Sequence, residues 1–580
     1  MTEPDKAEKA VRAALARGDL LGAYDMVVRR ADVSHQGLNY LEVLTLARLG
    51  DVERGLRLYD EYDLAAGGDA DTLSLKARLL KDQAFAHGGE PDPVKLKEAC
   101  DLYADIYRRT KSSYPAINAA TLARIGGRAR LANELARAVI AEADAEGHDD
   151  YYSLAAVAEA KVVLGDLEGA HAALSKAIRA SDADVGARST TVLQLQRLRD
   201  ATKDVAGLDS LLDLISPPKV AMFCGNIFLA NAELEARLAA EMMAAIQREN
   251  VGFAYGALAA GSDILIAEQL LKAKAEVHVV LPFAEADFLR ESVAPGGEEW
   301  VRRYEACKAG ATEVSFASNM SYVGENGQFS YSSKVTMGMA RLRARQLHGE
   351  AIQLVIVEER GEKTLSGSDT TAWRETGGRS VVVTTEKLVR PTMPPPPPRS
   401  DVLRGTYGIM FTDYPGFSRL DERVLPVFWD EVMVRAAGVL ESYSDAIKQG
   451  NTWGDALFVV FENANAAAAA ALDLCDRFNE VDCKALGVRE GTAMRIALHY
   501  GPTYSGHDPV SRRTTYYGTE VSRAARIEPV TPSGSVYVTE PFAAVLEMDT
   551  DHPFVCNYVG KIALPKGYGT YPLYRLRRQN

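Results

Sequence analysis

Two aspartates carry the strongest chemical signal in the sequence. Asp413 closes the apolar run of GTYGIMFTD, and Asp455 opens the run of GDALFVVF. If both runs are strands paired antiparallel, the two carboxylates stand side by side at one sheet edge. Like charges a few ångström apart in a half-buried site cannot both ionise cheaply. Two Mg2+ or Mn2+ ions would remove that cost, and they suit phosphoryl transfer, activating a hydroxyl and stabilising leaving phosphate oxygens. Two turn aspartates at strand ends would give the same pattern, so the residues alone leave both readings open.

The elements that would hold this pair lie in 403–580. The strand Tyr407–Phe411 precedes a helical stretch from about Asp421 to Lys448. The strand Ala456–Phe461, an alanine-rich helix (Ala464–Asn479) and the strand Met494–Gly501 follow. SVYVTE and a late hairpin complete the set, which predicts an α/β sandwich with one helical layer over a mixed sheet.

The blocks FTDYPGFSRL, NTWGDALFVVF, MRIALHYGP, YYGTEVSRAARI and LPKGYGTYPLYRL follow one another in order. Together they resemble the catalytic domain of class III nucleotidyl cyclases (a ferredoxin-like α/β fold) over essentially all of 405–575. The resemblance implies Asp413 and Asp455 as ligands of two Mg2+ or Mn2+ ions, with the Tyr414 carbonyl assisting and Gly416 and Phe417 in the adjoining turn against the nucleotide. Arg526 matches the arginine that stabilises charge on the reacting phosphate, and Lys566 a lysine that contacts the nucleotide phosphates. Three positions depart from the family pattern. The usual base-reading lysine is Asn451, its partner position is Thr515, and the asparagine before the arginine motif is Ser522. Asn offers a donor and an acceptor where Lys offers donors only, so base recognition is rewritten. Family members form their sites between two chains, which implies a homodimer here.

Upstream, 213–388 alternates strands and helices and predicts a Rossmann-like parallel α/β module. VAMFCG ends a strand at Gly225-Asn226. GALAAGSDILIAEQLL places Gly261, Ser262 and Asp263 where a strand hands over to a helix, the usual ligand position in such sheets. GALAAGSDILIAEQLL with VHVVLPF resembles the SLOG family, which implies a small nucleotide-like ligand at Gly225, Asn226, Gly261, Ser262 and Asp263. The segment 389–402 includes five consecutive prolines and predicts an extended polyproline spacer.

Residues 1–212 show helical periodicity punctuated by Gly18-Asp19, Gly50-Asp51, Gly126-Gly127 and Gly165-Asp166. Each reads as a helix, a glycine stop, a cap and a second helix. The units resemble divergent tetratricopeptide repeats, which form a helical solenoid. SSYPAINAATLARIGG also looks like the TRAF-binding region of stress-signalling kinases. A helical scaffold that meets a protein partner is the expectation there.

Composition bounds the rest. At roughly 100–200 residues per domain the chain predicts about three or four domains. A net charge of −13 excludes nucleic acid and anionic membrane as general partners. The opening MTEPDKAEKA lacks a signal-peptide layout, and no run is long and apolar enough to span a membrane. Six dispersed cysteines fit neither a zinc site nor a disulfide framework, so a reduced cytoplasmic protein is expected. The combined expectation is a multidomain nucleotidyl cyclase acting on a nucleoside triphosphate, ATP first. A cyclic-pyrimidine enzyme of antiviral defence and a catalytically degenerate scaffold are the alternatives.

Overall fold

The computed structural model describes residues 3–30, 34–86, 90–147, 149–180, 184–202, 207–359, 364–397, 402–549 and 551–579. These residues fall into two compact units. One is built on residues up to Pro217 with Arg345–Gly349, the other on Pro218–Ala344 and Glu350–Arg578.

The first unit is a succession of helices from Glu3–Ala16 to Leu208–Ile215. Its glycine stops work as the sequence implies at several boundaries. Gly18, Gly50, Gly127 and Gly165 all take left-handed φ values that side chains resist. Asp19 and Asp166 accept the amides of Gly22 and Gly169 and so cap the helices that follow. Asp51 makes no such side-chain bond. Buried Ala170, Ala173 and Ala177 lie on the inner face of one helix, where small side chains let neighbouring helices approach.

The second unit holds two sheets. The first contains β1 (Lys219–Gly225), β2 (Val251–Gly256), β3 (Glu276–Leu281), β4 (Glu313–Phe316), β5 (Ala351–Glu358) and β6 (Arg379–Thr385). All pairings are parallel, in the order β4-β3-β2-β1-β5-β6. The order reverses between β1 and β5, which leaves a crevice beyond their carboxyl ends.

The second sheet contains β7 (Leu403–Asp413), β8 (Ile447–Trp453), β9 (Ala456–Phe461), β10 (Arg495–His507), β11 (Thr514–Tyr517), β12 (Val536–Thr539), β13 (Phe554–Ala563) and β14 (Thr570–Arg578). Its order is β13-β14-β12-β10-β7-β9-β8, with β11 on the end of β10. Only β10 and β12 pair parallel, so the sheet is mixed. The helix Ala464–Asn479 buries one alanine-rich face, and Gly408 brings β7 close to it.

Two expectations need correction. The helical stretch ends at Glu441 rather than Lys448, because β8 begins at Ile447 and forms a hairpin with β9 around Gly454-Asp455. The alternation that marks β8 is weak, since most of its side chains are exposed. The proline segment is also no free spacer. Arg390, Pro391, Met393, Pro394 and Pro396 form one wall of a cavity in the first sheet's module, and the Pro397 carbonyl seats close to Gly324. Residues 398–401 lie outside the described residues.

The two sheet modules are fastened together. Tyr331 donates to the Tyr500 carbonyl at 2.9 Å, and Ser318 donates to Glu520 at 2.7 Å. The helix Asn326–Gln346 presents Gly338 so closely to the helix Glu540–Leu546 that a Cβ there would overlap the Ala544 carbonyl.

Candidate functional site

The register of the second sheet brings Asp413 and Asp455 together. Gly408–Phe411 of β7 pair with Phe461–Phe458 of β9, so the end of β7 meets the turn that starts β9. The Thr412 hydroxyl accepts the Leu457 amide at 3.0 Å and secures that meeting. Asp455 Oδ2 then accepts the Tyr414 backbone amide at 3.1 Å. Burial raises the Asp455 carboxyl above its ordinary value; the Tyr414 amide opposes this, and the charge of Asp413 adds to it.

Tyr414 is buried, its ring edge-on to Phe428 at 5.1 Å. Its carbonyl accepts the Phe417 amide at 3.2 Å, which folds the Gly416-Phe417 turn beside the carboxylates. Gly416 has φ 89°, a conformation that glycine supplies without strain.

Arg495 and Glu528 escaped the sequence reading. Arg495 is the register partner of Asp413 on β10 and forms an ion pair with it. Arg495 Nε also stands 2.8 Å from Glu528 Oε1. Burial pushes Glu528 up to about 7, with Arg495 opposing and the two aspartates adding repulsion. The site is therefore rich in carboxylate with one arginine among its contacts. Hard divalent cations fit that donor set, since Mg2+ binds through one or two carboxylates plus water and phosphate oxygens. Among the described residues, no group of three or more His, Cys, Asp or Glu is placed to cage a metal by itself.

Arg526 and Ser522 share a stripe of the helix Thr519–Ile527, four residues apart. Glu520, Arg523, Ala524 and Ile527 form its buried face, which fixes the outward direction of the other two. Arg526 is half-buried, and its Nε is enclosed without a hydrogen-bond partner among the described residues. The same helix leads directly into Glu528, so Arg526 lies two residues from a group that Arg495 ties to Asp413.

On the buried face of that helix, Glu520 is fully enclosed. It pairs with Arg523 at 2.8 Å and His499 at 2.9 Å, besides accepting from Ser318. Burial alone would raise its carboxyl; Arg523, His499 and Ser318 together hold it down to about 2.

The remaining expected residues are dispersed. Asn451 is exposed on β8 at one edge of the sheet, opposite Phe458. Thr515 is on β11, next to Tyr516, whose amide donates to Gln449 of β8 at 3.0 Å. Lys566 is exposed in the β13–β14 turn at the other edge, with φ 60°. Tyr568 of that turn donates to the Thr519 carbonyl at 3.3 Å, which docks the turn on the start of the Arg526 helix.

In the first sheet's module, a cavity of about 550 Å3 opens at the crevice beyond β1. Gly225, Asn226 and Asp263 line it, whereas Gly261 and Ser262 are not among its lining residues. Gly261 takes φ 93° and packs on Phe228; a Cβ would stand 2.6 Å from that ring. The Ser262 hydroxyl is used structurally, donating to the Asn226 carbonyl at 2.8 Å.

With this geometry in view, similarity to known proteins is informative. Residues 404–578 match the family described as the adenylate and guanylate cyclase catalytic domain, and residues 13–123 match Tetratricopeptide Repeats-Sensor. The chain therefore carries a class III cyclase catalytic domain at its carboxyl end and a TPR-type sensor region at its amino end. An adenylate cyclase of Podospora anserina is 26% identical over 170 residues, 26% of this chain and 8% of that protein. An adenylate cyclase of Neurospora crassa is 27% identical over 177 residues, 27% of this chain and 7% of that protein. The chain thus matches less than a tenth of the length of these relatives. Among solved structures, the adenylyl cyclase CyaB from P. aeruginosa is 17% identical, covering 31% of this chain and 96% of its own, with a TM-score of 0.27. The guanylate cyclase domain of RhGC from Catenaria anguillulae, in complex with GTP, is 18% identical, covering 31% and 100%, with a TM-score of 0.26.

Proposed function

We propose that the chain converts a nucleoside triphosphate, ATP first, into a 3′,5′-cyclic nucleotide and pyrophosphate, at a site completed by a second copy of itself. The observation that carries this is the meeting of Asp413 and Asp455 around the Tyr414 amide, inside a domain of the cyclase family. Asp413 and Asp455, with the Tyr414 carbonyl, would hold two Mg2+ or Mn2+ ions. Bound there, such ions supply a lowered hydroxyl pKa and charge neutralisation at the phosphates. The 3′-hydroxyl oxygen attacks the α-phosphorus and releases its proton to water, the bond to the bridging oxygen breaks, and pyrophosphate leaves with that electron pair. Arg526, half-buried on its helix, would turn its guanidinium to the charge that develops on the α-phosphate. Ser522, one turn away on the same stripe, hydrogen-bonds substrate with a shorter reach than asparagine. Lys566 engages the outer phosphates.

The placement of these groups supports a shared site. Asn451 and Lys566 lie at opposite edges of one sheet, so a single chain does not gather base-reading and phosphate-binding positions. Large apolar side chains are also exposed near the carboxylates, including Trp429 at 51% and Trp453 at 82%. An isologous dimer would cover them and create two equivalent sites.

Regulation fits the second unit's construction. One side of the helix Asn326–Gln346 lines the cavity through Asn326, Phe329, Ser333 and Thr336. The other side reaches Tyr500, Ala544 and Glu547 of the cyclase module through Tyr331, Gly338 and Arg341. Occupancy of the cavity would therefore act on the cyclase through one rigid element. The helical repeats would receive a protein partner. No helix among the described residues is long and apolar enough to cross a membrane, which suits a cytoplasmic enzyme.

Asn451, in place of the usual base-reading lysine, favours a second reading for the substrate, a pyrimidine triphosphate, whereas Thr515 fits the adenylyl pattern. Purified chain incubated with Mn2+ and an equimolar mixture of ATP, GTP, CTP and UTP, with products read by mass spectrometry, tests both. Cyclic AMP as the main product supports the first reading, and cyclic CMP or UMP the second. No cyclic product from an intact dimer overturns the enzymatic reading and leaves the scaffold.

A further inference from the structure

The cavity under the proline strap has a charged lining that is mostly acidic. Three carboxylates face it, Asp263, Asp369 and Glu291, and Arg390 is the one lysine or arginine among its lining residues. Arg390 is already engaged, pairing with Glu358 at 2.6 Å. Glu291 is likewise held by Arg290 at 2.8 Å, and Asp369 accepts from Ser333 at 2.8 Å.

Asp263 differs from both. It is 7% exposed, and Oδ2 accepts the Ala259 amide at 3.2 Å; the Gly225 backbone amide also faces the carboxyl, while Oδ1 is buried without a full hydrogen bond among the described residues. A buried acceptor left unmade is costly, so a donor supplied from the cavity would satisfy it. Asp263 also occupies the first turn of the helix Ser262–Lys272. The positive helix end that would otherwise cradle a phosphate already faces a carboxylate. The remaining lining mixes neutral polar side chains, among them Asn226, Ser332 and Thr336, with an aromatic wall of Phe288, Tyr322 and Phe329 and the strap prolines.

We propose that this cavity binds a small organic cation with a flat apolar body, whose N–H donors meet Asp263 and whose body lies against the aromatic wall and the proline strap. The ligand class is thus opposite in charge to a nucleotide phosphate. Burial pushes the Asp263 carboxyl up to about 8 against the opposing Ala259 and Gly225 amides, and the charge of Asp369 adds to the shift. The cavity accordingly disfavours a further negative charge and favours a cation that neutralises Asp263. The inference does not rest on the cyclase reading, and its test needs no cyclase activity.

Isothermal titration of the full chain at pH 8.5 with benzamidine, benzamide and benzoate compares three near-isosteric probes that differ in charge and donors. AMP is the fourth probe and represents a phosphate-bearing ligand. Benzamidine is expected to bind one site per chain at least tenfold more tightly than benzamide, with benzoate and AMP weaker still. Asp263→Asn is expected to weaken benzamidine at least tenfold, and Asp369→Asn to weaken it by a smaller factor. Asp369→Asn also serves as the informative variant should Asp263→Asn fail to fold. Absence of saturable benzamidine binding, benzoate or AMP binding as tightly as benzamidine, or benzamidine affinity untouched by both substitutions would each overturn the proposal.

Discussion

Arg495 and Asp413 stand opposite each other on β10 and β7, and their side chains pair at the sheet end where Asp455 also lies. The guanidinium reaches Glu528 as well, so it orients Asp413 while linking it to the end of the Arg526 helix. Arg495→Met is expected to raise the Mn2+ concentration needed for half-maximal cyclisation by about 10–100-fold, as loss of a supporting contact to a metal ligand does. Asp455→Asn is expected to abolish cyclisation at any Mn2+ concentration while leaving the circular dichroism spectrum unchanged. A variant that keeps full turnover would remove Asp455 from the chemistry.

Complementation tests whether two chains share the site. Asp455→Ala and Arg526→Ala are each expected to be inactive. A one-to-one mixture, after subunit exchange, should recover about a quarter of wild-type activity, because half the dimers would be mixed and each would keep one intact site. A mixture as inactive as its components would place the whole site in one chain.

Gly338 tests the fastening of the two sheet modules. Its backbone meets the Ala544 carbonyl with no room for a side chain. Gly338→Ala is expected to cost about 1–3 kcal/mol, the usual range for overpacking, read as a lowered midpoint in urea. An unchanged midpoint would mean that the two helices separate freely.

Glu520 is a buried carboxylate held at about 2 by Arg523, His499 and Ser318 against the opposing effect of burial. Its folded value is depressed, so its contribution is present above pH 4.5 and is lost as pH falls toward 2. Glu520→Gln should cost about 3–5 kcal/mol at pH 7, because Arg523 is left buried without its counter-charge. The difference in stability between variant and wild type should shrink as pH is lowered through that window.

Asp263 has the opposite sign. Burial raises its folded value to about 8, so the protonated form is favoured in the folded chain, and stability falls between about pH 4 and pH 8. Asp369 and Glu291, which share the cavity lining, and Cys224 on β1 face the same space, and the one positive group in that lining, Arg390, is paired with Glu358. Asp263→Asn is therefore expected to raise the melting temperature at pH 8.5 and to change it little at pH 4. A variant less stable than wild type at pH 8.5 would show that the carboxylate is structurally required.

The carboxylate pair was legible because the apolar runs around Asp413 and Asp455 read as strands whose antiparallel pairing would bring the two together, and the β7–β9 register supplies that pairing. Gly18 and Gly165 were legible for a similar local reason, since a helix stop followed by an acidic cap is written in adjacent residues. Arg495 was hidden because its pairing depends on the β7–β10 register, and those strands are about 80 residues apart in the chain. β8 was missed because its exposed side chains lack the alternation that burial imposes.

By itself the sequence pointed to Asp413 and Asp455 as candidate residues and to most of the strands and helices, because both follow from side-chain type and local spacing. Tertiary structure alone decided that Arg495 and Glu528 join the carboxylates and that Asn451 and Lys566 lie at opposite edges. It also turned the proline segment from a spacer into the wall of an acidic cavity. These are consequences of long-range register and packing, where the free energy depends on partners far away along the chain.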